Sequence, residues 1–298
     1  PNLYYVYEVD VSLKNEEKVL KRCESKDIFK APDEKYHFPK SGSLKLSSRP
    51  IIVGSGPAGL FCAYFLAEKG FRPLIIERGD MVDERVEKVN NFLENGILDC
   101  NSNIQFGEGG AGTFSDGKLN TLVKDKVFRQ KKIFEIFVEN GAPCEILYDS
   151  KPHIGTDLLR VVVKNIRNKI ISMGGEFRFK TCLTDIFYDN DKINAIEVNN
   201  KEIIKTDVLV LAIGHSARDT FSMLYDKNIG MQAKPFAVGV RIIHPQKLIN
   251  SSQYGEYYSE KLGAASYKLT YTTRERRGVY TFCMCPGGYV VNASSEKN

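Results

Sequence analysis

The sequence predicts an α/β fold organised around a short parallel sheet, and three stretches carry that expectation. In the first, Ile51, Ile52 and Val53 form a β-branched run of the kind a strand buried on both faces uses. Gly54, Gly56 and Gly59 follow, then a helical pattern (Leu60, Ala63, Tyr64, Ala67) with Gly70 at its C-terminal cap, then a second strand, Leu74 to Ile76, ended by Glu77. The second stretch holds four short strands, Phe177 to Lys180, Leu183 to Tyr188, Ile193 to Val198 and Glu202 to Lys205, with turns at Asn190-Asp191 and Asn199-Asn200. The third, Val208 to Ile213, reads as a fully buried strand that ends in Gly214-His215-Ser216, where open α/β sheets place ligands.

The strand, glycine triad, helix, strand and acid come in the order that binds a dinucleotide. Gly54 permits the tight turn, Gly56 lets a pyrophosphate approach the backbone, and Gly59 lets the helix pack close to the sheet. Pro57 suits the first helical position because its missing N–H would be unpaired there. The helix N-terminus, from Pro57 and Ala58, aims orphan N–H groups and a partial positive charge at the pyrophosphate. Glu77 lies twenty-three residues past Gly54, close to the spacing of a carboxylate that binds a ribose diol. A plain βαβ unit whose glycines serve packing alone is the competing reading.

Composition narrows the class. The 298 residues are 42% hydrophobic and 27% charged, enough for a sizeable core and unlike a disordered chain. A net charge of +5, evenly scattered, does not point to nucleic acid and is compatible with anionic cofactors or substrates. No apolar run approaches a membrane span, and no signal peptide opens the chain. Seven dispersed cysteines fit a reducing cytoplasm. Both ends read as cut, which suggests a fragment.

The remaining stretches follow in order. Tyr5, Tyr7, Val9 and Val11 alternate as a half-buried strand, and Asn15 can cap a helix with Val19, Leu20 and Cys23 on one stripe. This pair reads as part of a small N-terminal α/β domain, and residues 30–48, with Pro32, Pro39 and Gly42, as a linker. A helix from Val82 to Leu93 ends at Asn95-Gly96. Residues 107–112 also fit G-x-G-x-x-G, but no strand precedes them, so they are not a second fingerprint. They form either a loop whose N–H groups contact a flat or anionic ligand or a plain surface loop. Further helices span Val127 to Glu139, and a stretch capped by Thr156 or Asp157 with Leu158, Leu159, Val162, Val163, Ile166 and Ile170 buried. From Lys234 onward, tyrosines, glycines and short β-like runs fit a lining or lid domain.

These residues resemble the glutathione-reductase-like flavoproteins. Val-Gly-Ser-Gly-Pro-Ala-Gly-Leu with Ile-Ile-Glu-Arg-Gly is similar to their FAD site. Blocks 107–121, Pro-His-Ile-Gly-Thr-Asp (152–157), Pro-Phe-Ala-Val-Gly-Val-Arg (235–241) and Phe-Cys-Met-Cys-Pro-Gly-Gly (282–288) resemble the FAD-dependent dehydrogenases called NAD(FAD)-utilising. The resemblance implies a Rossmann-type FAD/NAD(P)-binding domain with a three-stranded β-meander, an α+β substrate domain and a partial N-terminal α/β domain. The boundaries would be 1–48, 49–230 and 231–298. It implies FAD contacts at Gly54, Gly56, Pro57, Ala58, Gly59, Glu77 and Arg78, along the loop at Gly109, Gly110, Ala111, Gly112, Thr113, Ser115 and Asp116, at Ala212, Ile213 and Gly214, and through the backbone of Leu183. NAD(P)H is a candidate electron donor and a small molecule the substrate; neither nucleic acid nor membrane is implied as a partner. These flavoproteins close the flavin site with a late strand–helix segment carrying Gly-Asp, which this sequence does not reach.

Other groups are ambiguous. The four histidines have no metal-ligand spacing and no Cys-x-x-Cys is present, so no metal site is expected. His215 is a candidate acid or base beside a flavin, or a turn residue. Arg218 and Arg241 could hold an anionic substrate or simply be solvated. Cys283 and Cys285 share a strand face, as a redox pair or as small apolar residues would. The function expected is an FAD-dependent oxidoreductase passing hydride through its flavin; the alternative is a flavin- or nucleotide-binding module without turnover, in a regulatory or scaffold role.

Overall fold

A computed structural model describes the chain apart from residues 1–3, 5, 116, 120, 122, 257, 283, 287–289 and 298. Its centre is a four-stranded parallel sheet in the order β3-β2-β1-β7, made of β1 (Ile51–Val53), β2 (Leu74–Ile76), β3 (Glu176–Arg178) and β7 (Leu209–Leu211). Helix α2 (Pro57–Glu68) connects β1 to β2 and closes with a Schellman pattern, in which Gly70 N–H donates to the Ala67 carbonyl and Phe71 N–H to that of Leu66. Pleating divides the strands between two cores. Ile52 and Ile75 face α2 and α5 (Thr156–Ser172), meeting Ala63, Ala67, Val162, Ile166 and Ile170. Ile51, Val53, Leu74 and Ile76 face the other way, onto Leu183, Ile186, Ile196, Val198 and Leu224. That second layer is an antiparallel meander of β4 (Leu183–Asp189), β5 (Lys192–Val198) and β6 (Glu202–Lys205), with α6 (Arg218–Asp226) beside it. A sheet covered on both faces explains why β1 and β2 are apolar without alternation.

The expected elements between residues 50 and 226 are present, with shifted ends. Helix α3 spans Val82–Asn95 and ends at Gly96, and α4 spans Arg129–Glu139. Helix α5 begins after Gly155, so Thr156 is its first helical residue and not its cap, and Leu158 points to solvent. The run from Val208 to Ile213 is not fully buried: β7 is an edge strand, and Leu211 is 39% exposed.

The termini depart further from expectation. The N-terminal strand does not form among the described residues, and Tyr7, Val9 and Val11 are exposed. Helix α1 (Glu16–Arg22) forms, but buries no residue, and Asn15 makes no side-chain cap. The linker at 30–48 is irregular yet docked: Phe38 packs on Phe65 of α2, and Ser47 and Ser48 donate to Asp207. Beyond residue 231 the described residues form α7 (Gln246–Tyr254) and a hairpin of β8 (Thr270–Thr272) and β9 (Gly278–Tyr280). No helix among the described residues is long and apolar enough to cross a membrane.

The glycine triad sets how closely α2 approaches the sheet. Gly54 takes a φ of +97°, and a Cβ there would lie 2.4 Å from the Ala212 carbonyl oxygen at the end of β7. A Cβ on Gly59 would lie 1.9 Å from the Gly54 carbonyl oxygen. Gly59→Ala therefore has to lift the helix from the turn, and we expect a loss of about 1–3 kcal/mol. An unchanged urea midpoint would show that α2 can lift freely.

Candidate dinucleotide site

The site lies where the C-terminal ends of β1, β2 and β7 meet two loops. Helix α2 begins here without a side-chain cap, with Pro57 at its first position. Pro57 and Ala58 are exposed, so the orphan N–H groups of the first turn open to solvent. The loop 103–114 folds over this end of the sheet and closes with a 3-10 turn at Gly110–Phe114. Gly109 N–H donates to the Ser55 carbonyl at 2.9 Å, and a Cβ on Gly110 would lie 3.0 Å from Gly56 Cα. The glycine turn and the glycine-rich loop are thus one contiguous backbone surface.

Two carboxylates fix that surface. Glu77 is 5% exposed; its Oε2 accepts from Ser55 N–H and Oγ–H, both at 2.8 Å, and its Oε1 from the N–H groups of Gly79 (3.0 Å) and Gly107 (3.1 Å). It therefore latches the second loop to the first, with all four of its favourable acceptor positions in use. Glu108 is fully buried. Its Oε2 accepts from Val82 N–H at 2.7 Å, capping α3 from a distant loop, and from Arg167 at 3.0 Å. Burial pushes the Glu108 carboxyl up, with Arg167 and the Val82 N–H pulling the other way. Neither Glu108 nor its partners stand out in the sequence.

Arg85, on α3, is the other residue the sequence reading missed. Its guanidinium is fully buried and donates to the carbonyls of Asn103 (2.9 Å), Ile104 (3.0 Å), Gly107 (3.3 Å), Glu108 (2.5 Å) and Gly110 (2.9 Å). The Phe114 ring lies against it at 4.8 Å. Gly107 has to be glycine for this approach, since a Cβ would sit 2.4 Å from Arg85 Cδ. A signal was present: Val82, Arg85 and Val89 share the buried face of α3, so a charge sits on an apolar stripe.

The expected site residues separate into three groups. Gly54, Gly56, Pro57, Ala58, Gly59, Glu77, Gly109, Gly110, Ala111 and Gly112 lie along this surface, and Ala212 joins it through its N–H to Val53 and its carbonyl beside Gly54. Ile213 and Gly214 continue from it, Gly214 exposed. Others are turned to internal work. Thr113 is fully buried, its hydroxyl donating to the Glu108 carbonyl, because the 3-10 turn points it inward. Arg78 donates to both Asp219 oxygens (2.8 and 3.0 Å) and to Thr220, and lies over Phe106, tying β2 to α6. Ser115 donates to the Gly112 carbonyl. The Leu183 side chain is in the core. Of the remaining candidates, His215 is exposed, its ring 3.2 Å from Ser216 Oγ, and Cys285 is exposed. Asp116 and Cys283 lie outside the described residues. The block 117–119 zips against 152–154, with Leu119 N–H donating to the Pro152 carbonyl and Ile154 N–H to that of Gly117.

The chain matches two protein families. Residues 52–87 match the NAD(P)-binding Rossmann-like domain, and residues 235–298 the domain described as FAD-dependent protein, C-terminal domain-like. An uncharacterised protein of Clostridium beijerinckii is 50% identical over 293 residues, 98% of this chain and 54% of that protein. The thiamine thiazole synthase of Aeropyrum pernix is 26% identical over 162 residues, 54% of this chain and 47% of that protein. The chain thus spans about half the length of the curated relatives it matches. Among solved structures, THI4 of Thermovibrio ammonificans aligns with a TM-score of 0.41 at 19% identity, covering 61% of this chain and 63% of that one. Glycine oxidase of Bacillus cereus aligns with a TM-score of 0.40 at 14% identity, covering 60% and 57%. These two structural likenesses carry no argument about function.

Asp80, beside the latch, gives the site an acid dependence. Burial raises its carboxyl, but Lys88, Ser102 and Lys180 outweigh burial and hold it well below the usual carboxylate range. A carboxyl so depressed stabilises the fold above its unfolded value, near pH 4, and that stabilisation disappears as pH falls through the native value. Glu108, held high, has the opposite slope. Asp80→Asn should lower the urea midpoint at neutral pH and flatten its fall below about pH 4. A variant that follows the wild-type acid limb would remove Asp80 as its source.

Proposed function

We propose that this chain is the FAD-binding part of a flavin-dependent oxidoreductase of the dehydrogenase type, acting on a small molecule with NAD(P)H as a candidate donor. The observation that carries the reading is the merged surface of the uncapped α2 N-terminus and the 107–112 loop at the C-terminal ends of parallel strands. The two family matches, Rossmann-like at 52–87 and FAD-dependent at 235–298, support it and fit a division into a cofactor domain at 49–230 and a second domain at 231–298.

The residues fit an FAD. The exposed first turn of α2 offers unpaired N–H groups to a pyrophosphate, and the nearest atom facing Gly56 is the backbone Cα of Gly110, not a side chain. Bound there, FAD would supply an isoalloxazine able to accept and return hydride. In this reading the ribose hydroxyls take the place of one or two of the donors that now occupy Glu77, and Ala212 to Gly214 border the ring. His215 and Cys285, both exposed, are assigned no chemical step.

Two measurements test this. With the chain loaded with FAD and kept anaerobic, stopped-flow mixing with NADH or NADPH should bleach the flavin absorbance. Tight flavin binding without bleaching by either donor would favour the module without turnover. Replacing ADP by its 2′,3′-dideoxy analogue should weaken binding about 10-fold or more if Glu77 takes the diol. Equal affinities would confine Glu77 to the latch.

A further inference from the structure

The buried Arg85 has no use in the reading above beyond bracing a loop, yet its geometry decides which way that loop's N–H groups face. In a trans peptide the carbonyl and the following N–H point in opposite directions. Arg85 draws the carbonyls of Gly107, Glu108 and Gly110 inward, so the next N–H groups turn away from it. Glu108 N–H then meets the Asp80 carbonyl at 3.0 Å and Gly109 N–H the Ser55 carbonyl at 2.9 Å. Ala111 N–H, the third, has no acceptor among the described residues. Ala111 is exposed, and Gly110 rests on Gly56 and Pro57 at the first turn of α2. One more donor is thereby added to the opening where Ala58 and Gly59 already present theirs.

Charge reinforces the geometry. Among the described residues the Arg85 guanidinium makes no direct ion pair; the carboxylates of Glu77 and Glu108 act on it only through space, and its charge lies one peptide behind that donor. Burial pushes Arg85 down to about 10, which leaves it protonated at neutral pH.

We propose that Arg85 is a positioning residue for the diphosphate of a bound dinucleotide, aiming the Ala111 N–H at it and placing a buried positive charge behind that peptide. The proposal rests on the dinucleotide reading and assigns its anionic half to a residue that never touches the ligand. Lysine would keep the charge but not the fork of donors that orders several carbonyls at once.

The test compares ADP with adenosine, by calorimetry on the 298-residue chain and on Arg85→Lys. ADP affinity should fall about 10-fold or more in Arg85→Lys, while adenosine binding changes less than about 3-fold. In the wild type, ¹⁵N-alanine labelling should show the Ala111 amide shifted and protected by saturating ADP. Equal losses for ADP and adenosine, or no loss, in a folded Arg85→Lys would overturn the proposal. So would an Ala111 amide that ADP leaves unmoved, a readout that holds even if the variant fails to fold. A wild type that binds neither ADP nor FAD overturns the dinucleotide reading and this inference together.

Discussion

The contact on which the site depends is the Arg85 guanidinium enclosed by five backbone carbonyls. A glycine-rich loop has many conformations of similar energy, and ordering it costs entropy at every residue. Charge-assisted hydrogen bonds to peptide oxygens are stronger than neutral ones, and several converging on one rigid fork select a single path for the chain. Removing the arginine would leave the buried Asn103 and Ile104 carbonyls without a donor among the described residues, a larger loss than the net worth of those bonds themselves. The loop is thus built from α3 outward, not from its own sequence.

Two acids complete the construction from opposite sides. Glu77 gathers N–H groups from both loops, whereas Glu108 reaches back to the start of α3 and to Arg167 on α5. Each carboxylate joins elements distant in sequence, so the site's rigidity is a tertiary property. The same logic places Arg78 and Asp219 as a clasp between β2 and α6. Charged side chains around this surface chiefly hold backbone in place and leave the backbone exposed.

The fold of residues 50–226 was legible because its signals are local: β-branched runs, helical spacing and glycines at a fixed interval. The surface at Gly54 to Gly59 was legible for the same reason. The 107–112 loop was not, since its conformation is dictated by Arg85 and Glu77, which lie elsewhere in the chain. Thr113 and Arg78 have chemistry suited to a ligand, but their neighbours engage them first. Alternation at Tyr7, Val9 and Val11 satisfied the pattern of a strand, but a strand needs a second edge, and pattern does not supply one. Leu211 failed to bury for a related reason: which strand ends up at the sheet's margin is a matter of topology.

The strand order has a consequence for how the chain is made. β1 pairs with β7, Ile51 opposite Leu209, so one edge of β1 waits for residues that the ribosome adds much later. At roughly 5–20 residues per second, that wait lasts on the order of 8–30 s. During it, an apolar β1–β2 pair exposes an open margin of peptide groups, the kind of surface on which nascent chains associate. The meander and α5 are synthesised within that interval, so the last strand closes a sheet whose two faces are already covered.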